Sequence, residues 1–178
     1  MQTATSPAST SRSIHSLETL AARSQDELDA LYRAAVAPSS MHAIDGPLVG
    51  RMLVVRGVPP ILAKPLRRWA GSPSFIWEGK TFQATSDTEG VGHNRVSIPG
   101  ALGRQNLFPF ATRFEPSSLD GKPSLILDYD LDVNPGYIRG IHDEIREVSP
   151  GLFLGPAMWK RGDQRTFLLW FALDVGQA

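Results

Sequence analysis

From residue 74 onward, apolar and polar residues alternate with a period of two, which is the period of a β-strand. The alternating segments are short, and turn chemistry such as Asn134-Pro135-Gly136 and Ser149-Pro150-Gly151 separates them. Strands with turns at such short intervals are typical of antiparallel barrels and sandwiches. We predict strands over 48–56, 74–78, 80–85, 92–98, 108–115, 123–131, 140–148, 151–159 and 166–174.

These strands predict a mainly β fold, an up-and-down antiparallel β-barrel of about eight strands. Closing the sheet on itself removes its unpaired edges. A barrel of about eight strands has an interior able to hold one small ligand. The alternative is an open, strongly curved sheet packed on an N-terminal helix.

The N-terminal third is organised differently. Residues 1–13 are polar and predict a disordered leader, 14–44 a helical segment, and 45–178 the barrel. A helix is expected over 16–37, because Ser24 and Glu27 form a capping-box pattern and Pro38 ends the apolar stripe that follows. Residues 60–71 predict a short helical segment after the first strand.

Charge and cysteine content limit the partners, location and cofactors that we expect for this protein. Lysine plus arginine and aspartate plus glutamate number 18 each, so nucleic acid and anionic membranes are not expected partners. No apolar run is long enough to span a membrane as a helix. The chain has no cysteine, and its N-terminus lacks the apolar core of a secretory signal, which favours a cytoplasmic protein. A transit peptide is the alternative to a disordered leader at this end. It also lacks an HExxH motif, and we predict neither a metal site nor a cofactor.

The order of these elements resembles the calycin superfamily, which includes lipocalins and fatty-acid-binding proteins. A strand follows Gly46-Pro47-Leu48-Val49-Gly50, a helical segment at 60–71 occupies the place of the helical lid, and hairpins run to the end. The segment DEIREVSPGLFLG at 143–155 resembles stretches of small uncharacterised bacterial proteins of this kind. The resemblance implies a calycin-like barrel, and the uncharacterised bacterial proteins imply no function.

Two positions depart from that superfamily. Lipocalins have a tryptophan two residues after the glycine of their signature. Here the residue two positions after Gly46 is Leu48, and the residue two positions after Gly50 is Met52. The last strand, residues 166–173, lacks the Arg-x-Tyr pair with which fatty-acid-binding proteins hold a carboxylate.

The richest chemistry lies in the segment from Asp128 to Arg146. Alternation places Tyr129 on the face of Leu125, Leu127 and Leu131, and Asp143 on the face of Ile141 and Ile145. If those faces line the lumen, Asp143 is a candidate general acid or base, and Tyr129 is its hydrogen-bonding neighbour. With the opposite phase, His142, Glu144 and Arg146 point inward beside Asp128 and Asp130. The alternative to a functional acid is a structural network.

Further residues are candidates for ligand contact. Aromatic side chains in the strands could line an apolar pocket or fill a core. We predict catalytic roles for Asp143, Tyr129, His142 and Glu144. The predicted ligand-binding residues are Trp77, His93, Arg113, Phe114, Arg146 and Trp159.

Two functions fit this pattern. The first is a protein that binds a small apolar or aromatic molecule in the barrel lumen. The second is a cofactor-independent isomerase, cyclase or lyase of the kind used in secondary metabolism, with a buried acid as general acid or base. An interaction module with a filled core is a third, weaker option.

Overall fold

The computed structural model describes residues 15–55, 76–98, 100 and 103–176, and these form a closed eight-stranded barrel. Every strand pairs antiparallel with the next in sequence, and β1 also pairs with β8, which closes the sheet. The predicted mainly β barrel is therefore confirmed, and the open sheet is wrong. The strands are β1 Gly46–Val55, β2 Trp77–Ala84, β3 Glu89–Ile98, β4 Gly103–Pro116, β5 Pro123–Asp128, β6 Ile141–Ser149, β7 Leu152–Arg161 and β8 Gln164–Asp174.

The two strands predicted over 74–78 and 80–85 are a single strand, β2, within the described residues. Its pairing with β3 is irregular between Trp77 and Gly79, and Gly79 has a φ of +134°. A Cβ at Gly79 would lie 2.1 Å from the carbonyl oxygen of Leu48. The Glu78-Gly79 pair therefore marks a bulge inside a strand, not the turn that the sequence predicted. As a result, Trp77 and Lys80 both face the interior.

Other strand limits also differ from the prediction. β4 begins at Gly103 and β3 at Glu89, so this hairpin is longer than expected. β5 ends at Asp128, three residues early, because the Asp128 carboxylate accepts a hydrogen bond from the amide of Asp130 and turns the chain. A four-residue helix, α3 (Gly136–Arg139), then leads into β6.

The helix predicted over 16–37 is two helices, α1 (Leu17–Ala21) and α2 (Gln25–Ala34). Ser24 caps α2 with the expected capping box, and its extended backbone separates the two helices. A 3-10 helix, Met41–Ile44, precedes β1. None of the helices in the described ranges is long and apolar enough to cross a membrane. The predicted leader, 1–13, and the predicted helix, 60–71, lie outside the described residues.

The barrel wall separates two apolar cores. The inner core fills one part of the barrel with side chains that include Phe82, Phe110, Leu125 and Phe153. The outer core lies between the helices and the outer face of β1, β7 and β8, and its buried members are Leu20, Ala21, Leu28, Tyr32, Leu53, Leu152, Leu154, Trp170 and Ala172. Helices α1 and α2 therefore cover the outside of the barrel, while the 3-10 helix adds Met41 and Ile44 to the inner core.

Candidate functional site

A cavity of about 340 Å³ occupies the part of the barrel that the inner core does not fill. This volume lies at the small end of the range of about 300–1,000 Å³ typical of ligand sites. Apolar side chains make up most of its wall. The described lining residues are Met52, Ile76, Trp77, Lys80, Asn94, Val96, Phe108, Tyr129, Ile138, Ile141, Asp143, Ala157, Leu168, Leu169 and Phe171.

Four polar side chains of the wall form one hydrogen-bonded group, which we call the polar cluster: Lys80, Asn94, Tyr129 and Asp143. Each comes from a different part of the barrel: Lys80 from β2, Asn94 from β3, Asp143 from β6, and Tyr129 from the residue after β5. The four side chains meet because all of them face the interior. An otherwise apolar cavity thus has its polar groups gathered in one place.

Asn94 holds the cluster together. Its Oδ1 accepts hydrogen bonds from Trp77 Nε1 at 2.9 Å and from Lys80 Nζ at 3.0 Å. Its Nδ2 donates to the hydroxyl of Tyr129 at 3.2 Å and to the carbonyl oxygen of Phe108 at 3.3 Å. The amide therefore uses both its donors and its acceptor, which fixes Trp77 against the cluster.

Lys80 and Asp143 form a buried ion pair, with Nζ 3.0 Å from Oδ2. Lys80 also donates to the hydroxyl of Tyr129. Four aromatic rings surround its Nζ at 5.2–5.6 Å from their centroids, those of Trp77, Phe110, Tyr129 and Phe171. Burial lowers the pKa of Lys80, while the charge of Asp143 and their hydrogen bond oppose that shift.

Tyr129 and Asp143 complete the cluster. The hydroxyl of Tyr129 donates to Asp143 Oδ2 at 3.2 Å, and burial together with the charge of Asp143 raises the pKa of the tyrosine well above its usual value. Oδ1 of Asp143 is buried and accepts no hydrogen bond from the described residues. A buried carboxylate oxygen without a donor is unfavourable, so this atom is a position where a ligand could bind.

Two backbone features shape the cavity. Phe108 adopts a φ of +54°, where the pairing of β3 with β4 shifts, and this bulge turns its ring towards the lumen. Gly50 of β1 lies under the indole of Trp77, whose ring is 2.6 Å from where a Cβ would stand. A larger residue at position 50 would displace Trp77.

Three of the ten predicted site residues line the cavity: Asp143, Tyr129 and Trp77. Asp143 and Tyr129 share the lumen, as alternation predicted, whereas their function stays a prediction. Lys80 and Asn94 are not among the predicted site residues. Alternation could have found both, because Lys80 precedes Phe82 by two residues, and Asn94 lies between Gly92 and Val96 on one face of β3.

His142 and Glu144 lie on the outer face of β6, beneath α2, and not in the cavity. Glu144 is fully buried and accepts hydrogen bonds from Tyr32 at 2.7 Å, from the Ser118 amide at 2.8 Å and from His142 at 3.1 Å. Burial acts to raise the pKa of Glu144, but hydrogen bonds from His142, Ser117 and Ser118 outweigh it and hold that pKa at about 2. The pair is thus outside the reach of a ligand in the lumen, and the geometry gives it a structural role.

Arg146 lies on the same outer face and is also fully buried. Its guanidinium makes a bidentate ion pair with Asp120 at 2.6 and 2.8 Å and donates to the carbonyl oxygens of Tyr32, Lys122 and Pro123. All five of its N–H groups are then used. Arg146 therefore ties α2 and the 117–123 loop to the barrel and does not contact the cavity.

The four other predicted ligand residues also lie outside the cavity. Arg113 pairs with Glu115 and Asp128 at the surface, and Phe114 packs against the inner core. Trp159 is partly exposed and lies over Gly140. His93 alternates with Asn94 and so faces away from the lumen. Residue type alone does not give the strand face, so the sequence could not show that these four side chains lie outside the cavity. Their role in ligand binding stays a prediction.

The polar cluster contains one carboxylate and no imidazole. Across the described ranges, no three His, Asp or Glu side chains come close enough to hold a metal ion. Among the described residues that line the cavity, the polar cluster offers one amine, one carboxylate, one phenol and one amide for chemistry.

These features define a class of protein, a closed antiparallel barrel with a small internal cavity. No family model matches the sequence, and no curated protein matches it. The chain is similar to a solved structure described as a protein from Thermomonospora curvata, with a TM-score of 0.52 and 19% sequence identity over 87% of this chain and 89% of that one. At this identity, the similarity supports the fold alone.

Proposed function

We propose that this protein binds a small, largely apolar molecule in the barrel lumen, with one polar group of that molecule on the polar cluster. The observation that carries the proposal is the cavity itself, an apolar volume of about 340 Å³ with its polar side chains at one place. Such a wall orients a ligand, because only one end of the molecule finds hydrogen-bonding partners there.

The cluster favours a neutral ligand with a hydrogen-bond donor. Lys80 and Asp143 already neutralise each other, so an anionic group would enter the lumen without a counter-charge. The unpartnered Oδ1 of Asp143 can accept a hydrogen bond from a ligand hydroxyl or N–H group. An apolar alcohol satisfies both conditions.

A calycin-type relationship and a cytoplasmic location are parts of this proposal. The closed antiparallel barrel is in keeping with the first. The absence of cysteine from a chain of 178 residues favours the second.

Isothermal titration calorimetry with 4-isopropylbenzyl alcohol tests the proposal. We expect saturable binding of one molecule per chain, and weaker binding of 4-isopropylbenzoate, which has the same skeleton and a negative charge. Ala157 lines the cavity, so Ala157→Phe fills part of it and should abolish binding of the alcohol.

Val91→Phe is the matched control, because it adds a phenyl ring at an exposed position on β3. It should leave binding unchanged. Absence of saturable heat with the wild-type protein, or equal effects of the two variants, would contradict a ligand site in the lumen.

A second candidate function is a cofactor-independent isomerase, cyclase or lyase. The observation that favours it is the free Oδ1 of a carboxylate that faces the cavity beside a phenol and an amine. In such an enzyme, Asp143 would accept a proton from the substrate, and Tyr129 would donate a hydrogen bond to the developing oxyanion. Asp143→Asn should then abolish turnover while ligand binding persists. His142 and Glu144, which lie outside the lumen, take no part.

A further inference from the structure

Lys80 differs in its surroundings from Lys122 and Lys160, the other two lysines within the described residues. The sequence has four lysines, at 64, 80, 122 and 160. Lys122 donates to the carbonyl oxygen of Arg33, and Lys160 pairs with Asp128 and Asp130 at the surface. Lys80, by contrast, reaches the lumen with its side chain 4% exposed. An amine in that position meets only molecules that enter the cavity.

Burial shifts this amine towards its reactive form, and the charge of Asp143 opposes that shift. An amine attacks a carbonyl carbon only when it is unprotonated, and desolvation in an apolar pocket is one way in which proteins activate lysine as a nucleophile. Burial lowers the pKa of Lys80, which is the required direction. Asp143 Oδ2, at 3.0 Å from Nζ, is positioned to accept the proton that the ammonium group releases.

We infer that Lys80 forms a reversible imine with a small apolar aldehyde that enters the lumen. The inference rests on the proposed binding function. The ammonium group passes one proton to Asp143, and the free amine attacks the carbonyl carbon to give a carbinolamine. The proton returns as the hydroxyl leaves as water, so that one ammonium and one aldehyde yield one iminium and one water molecule.

The rest of the cluster suits this product. The iminium keeps the positive charge of Lys80, and Asp143 remains its counter-ion. The hydroxyl of Tyr129, which contacts Lys80 Nζ and Asp143 Oδ2, can donate a hydrogen bond to the carbonyl oxygen during the attack. The aromatic rings around Nζ stabilise a cation before and after the reaction.

Reductive trapping tests the inference. The intact protein is incubated with 4-isopropylbenzaldehyde and sodium borohydride, which reduces an imine to a stable secondary amine. Mass spectrometry should show one added isopropylbenzyl group per chain, and peptide mapping should place it on Lys80. Lys80→Arg, which keeps the charge but cannot form an imine, should lose the adduct, whereas Lys160→Arg should keep it.

The variants are checked for folding by circular dichroism. If Lys80→Arg is unfolded, the double variant Lys80→Met/Asp143→Asn replaces it, because that variant removes both charges together. It should also lose the adduct.

The alcohol separates this inference from the binding function. If 4-isopropylbenzyl alcohol binds but the aldehyde gives no adduct on Lys80, the imine is overturned and the binding function stands. An adduct confined to Lys122, Lys160 or other amines also overturns it. If the alcohol does not bind and no adduct forms, both the binding function and the imine on Lys80 are overturned. An adduct on Lys80 that excess alcohol suppresses supports both.

Discussion

The ammonium of Lys80 lies 3.0 Å from a carboxylate oxygen of Asp143, and each side chain is only 4% exposed. Neither charge could remain in the lumen alone, since an unpaired ion in an apolar interior loses its hydration without compensation. The pair also needs its hydrogen-bonding partners, which Asn94 and Tyr129 supply. The two charges therefore depend on each other and on the other polar side chains of the cavity wall.

We predict that Asp143→Asn lowers the free energy of unfolding by about 3–5 kcal/mol, because it leaves Lys80 as an uncompensated buried charge. Urea unfolding monitored by circular dichroism measures this loss. Asp132→Asn is the control, since Asp132 pairs with Arg139 at the surface with its side chain 97% exposed, and should cost less than about 1 kcal/mol. Lys80→Met/Asp143→Asn should recover part of the loss, and additive losses would show that the two charges are uncoupled.

We predict that Trp77 is responsible for the fluorescence change on ligand binding. Its ring lines the cavity, whereas Trp170 belongs to the outer core and Trp159 lies over Gly140. Trp77→Phe should abolish the response to 4-isopropylbenzyl alcohol, and Trp159→Phe should retain it. Calorimetry on Trp77→Phe distinguishes a lost signal from lost binding, and an undiminished fluorescence response in this variant would place the ligand elsewhere.

The barrel was predictable because alternation and turn chemistry are local properties of the sequence. The inward direction of Asp143 followed from its position between Ile141 and Ile145, since the apolar face of a strand faces the core. The Ser24 capping box was also visible, and it sets the start of α2.

The polar cluster was not predictable to the same extent, because it depends on contacts between distant strands. Alternation with Phe82 gives the face of Lys80, but only the fold shows that Asn94, Tyr129 and Asp143 meet it there. The outer face of β6 was misleading for another reason. His142, Glu144 and Arg146 have the composition of an active site, but Tyr32 of α2 contacts Glu144 and Arg146 on this outer face. A sequence does not show which strand face a helix contacts.

We predict that the free energy of unfolding decreases at acidic pH because Glu144 becomes protonated. Its pKa is about 2 in the folded protein, against 4.5 for the unperturbed group. Because the pKa of Glu144 is lower in the folded than in the unfolded protein, its ionised carboxylate stabilises the fold at pH values above the unfolded pKa. This stabilisation disappears as the pH falls from about 4.5 towards 2. The difference corresponds to about 3 kcal/mol.

The glutamine of Glu144→Gln has no titratable group, so the free energy of unfolding of this variant should depend less on pH over this range. Urea unfolding at a series of pH values measures the slope. Glu115→Gln is the control, because Glu115 is partly exposed and pairs only with Arg113 among the ion pairs of the described chain. A steep slope that persists in Glu144→Gln would assign the acid sensitivity to other carboxylates.

We predict that Arg146 stabilises the fold without affecting ligand binding. The guanidinium lies with its central carbon 4.4 Å from the ring centroid of Tyr32 and pairs with Asp120, whose pKa it holds at about 2. Arg146→Gln leaves Asp120 without its main partner and removes the guanidinium hydrogen bonds to the carbonyl oxygens of Tyr32, Lys122 and Pro123. It should cost about 3–5 kcal/mol in urea unfolding.

The folded fraction of Arg146→Gln should bind 4-isopropylbenzyl alcohol with unchanged affinity, because the outer face of β6 does not reach the lumen. Arg113→Gln provides the comparison. Arg113 pairs with Glu115 and Asp128 near the surface, so its loss should cost less than about 1 kcal/mol and also leave affinity unchanged. Weaker ligand binding by Arg146→Gln, measured at a temperature where the variant is fully folded, would show that Arg146 contributes to ligand binding.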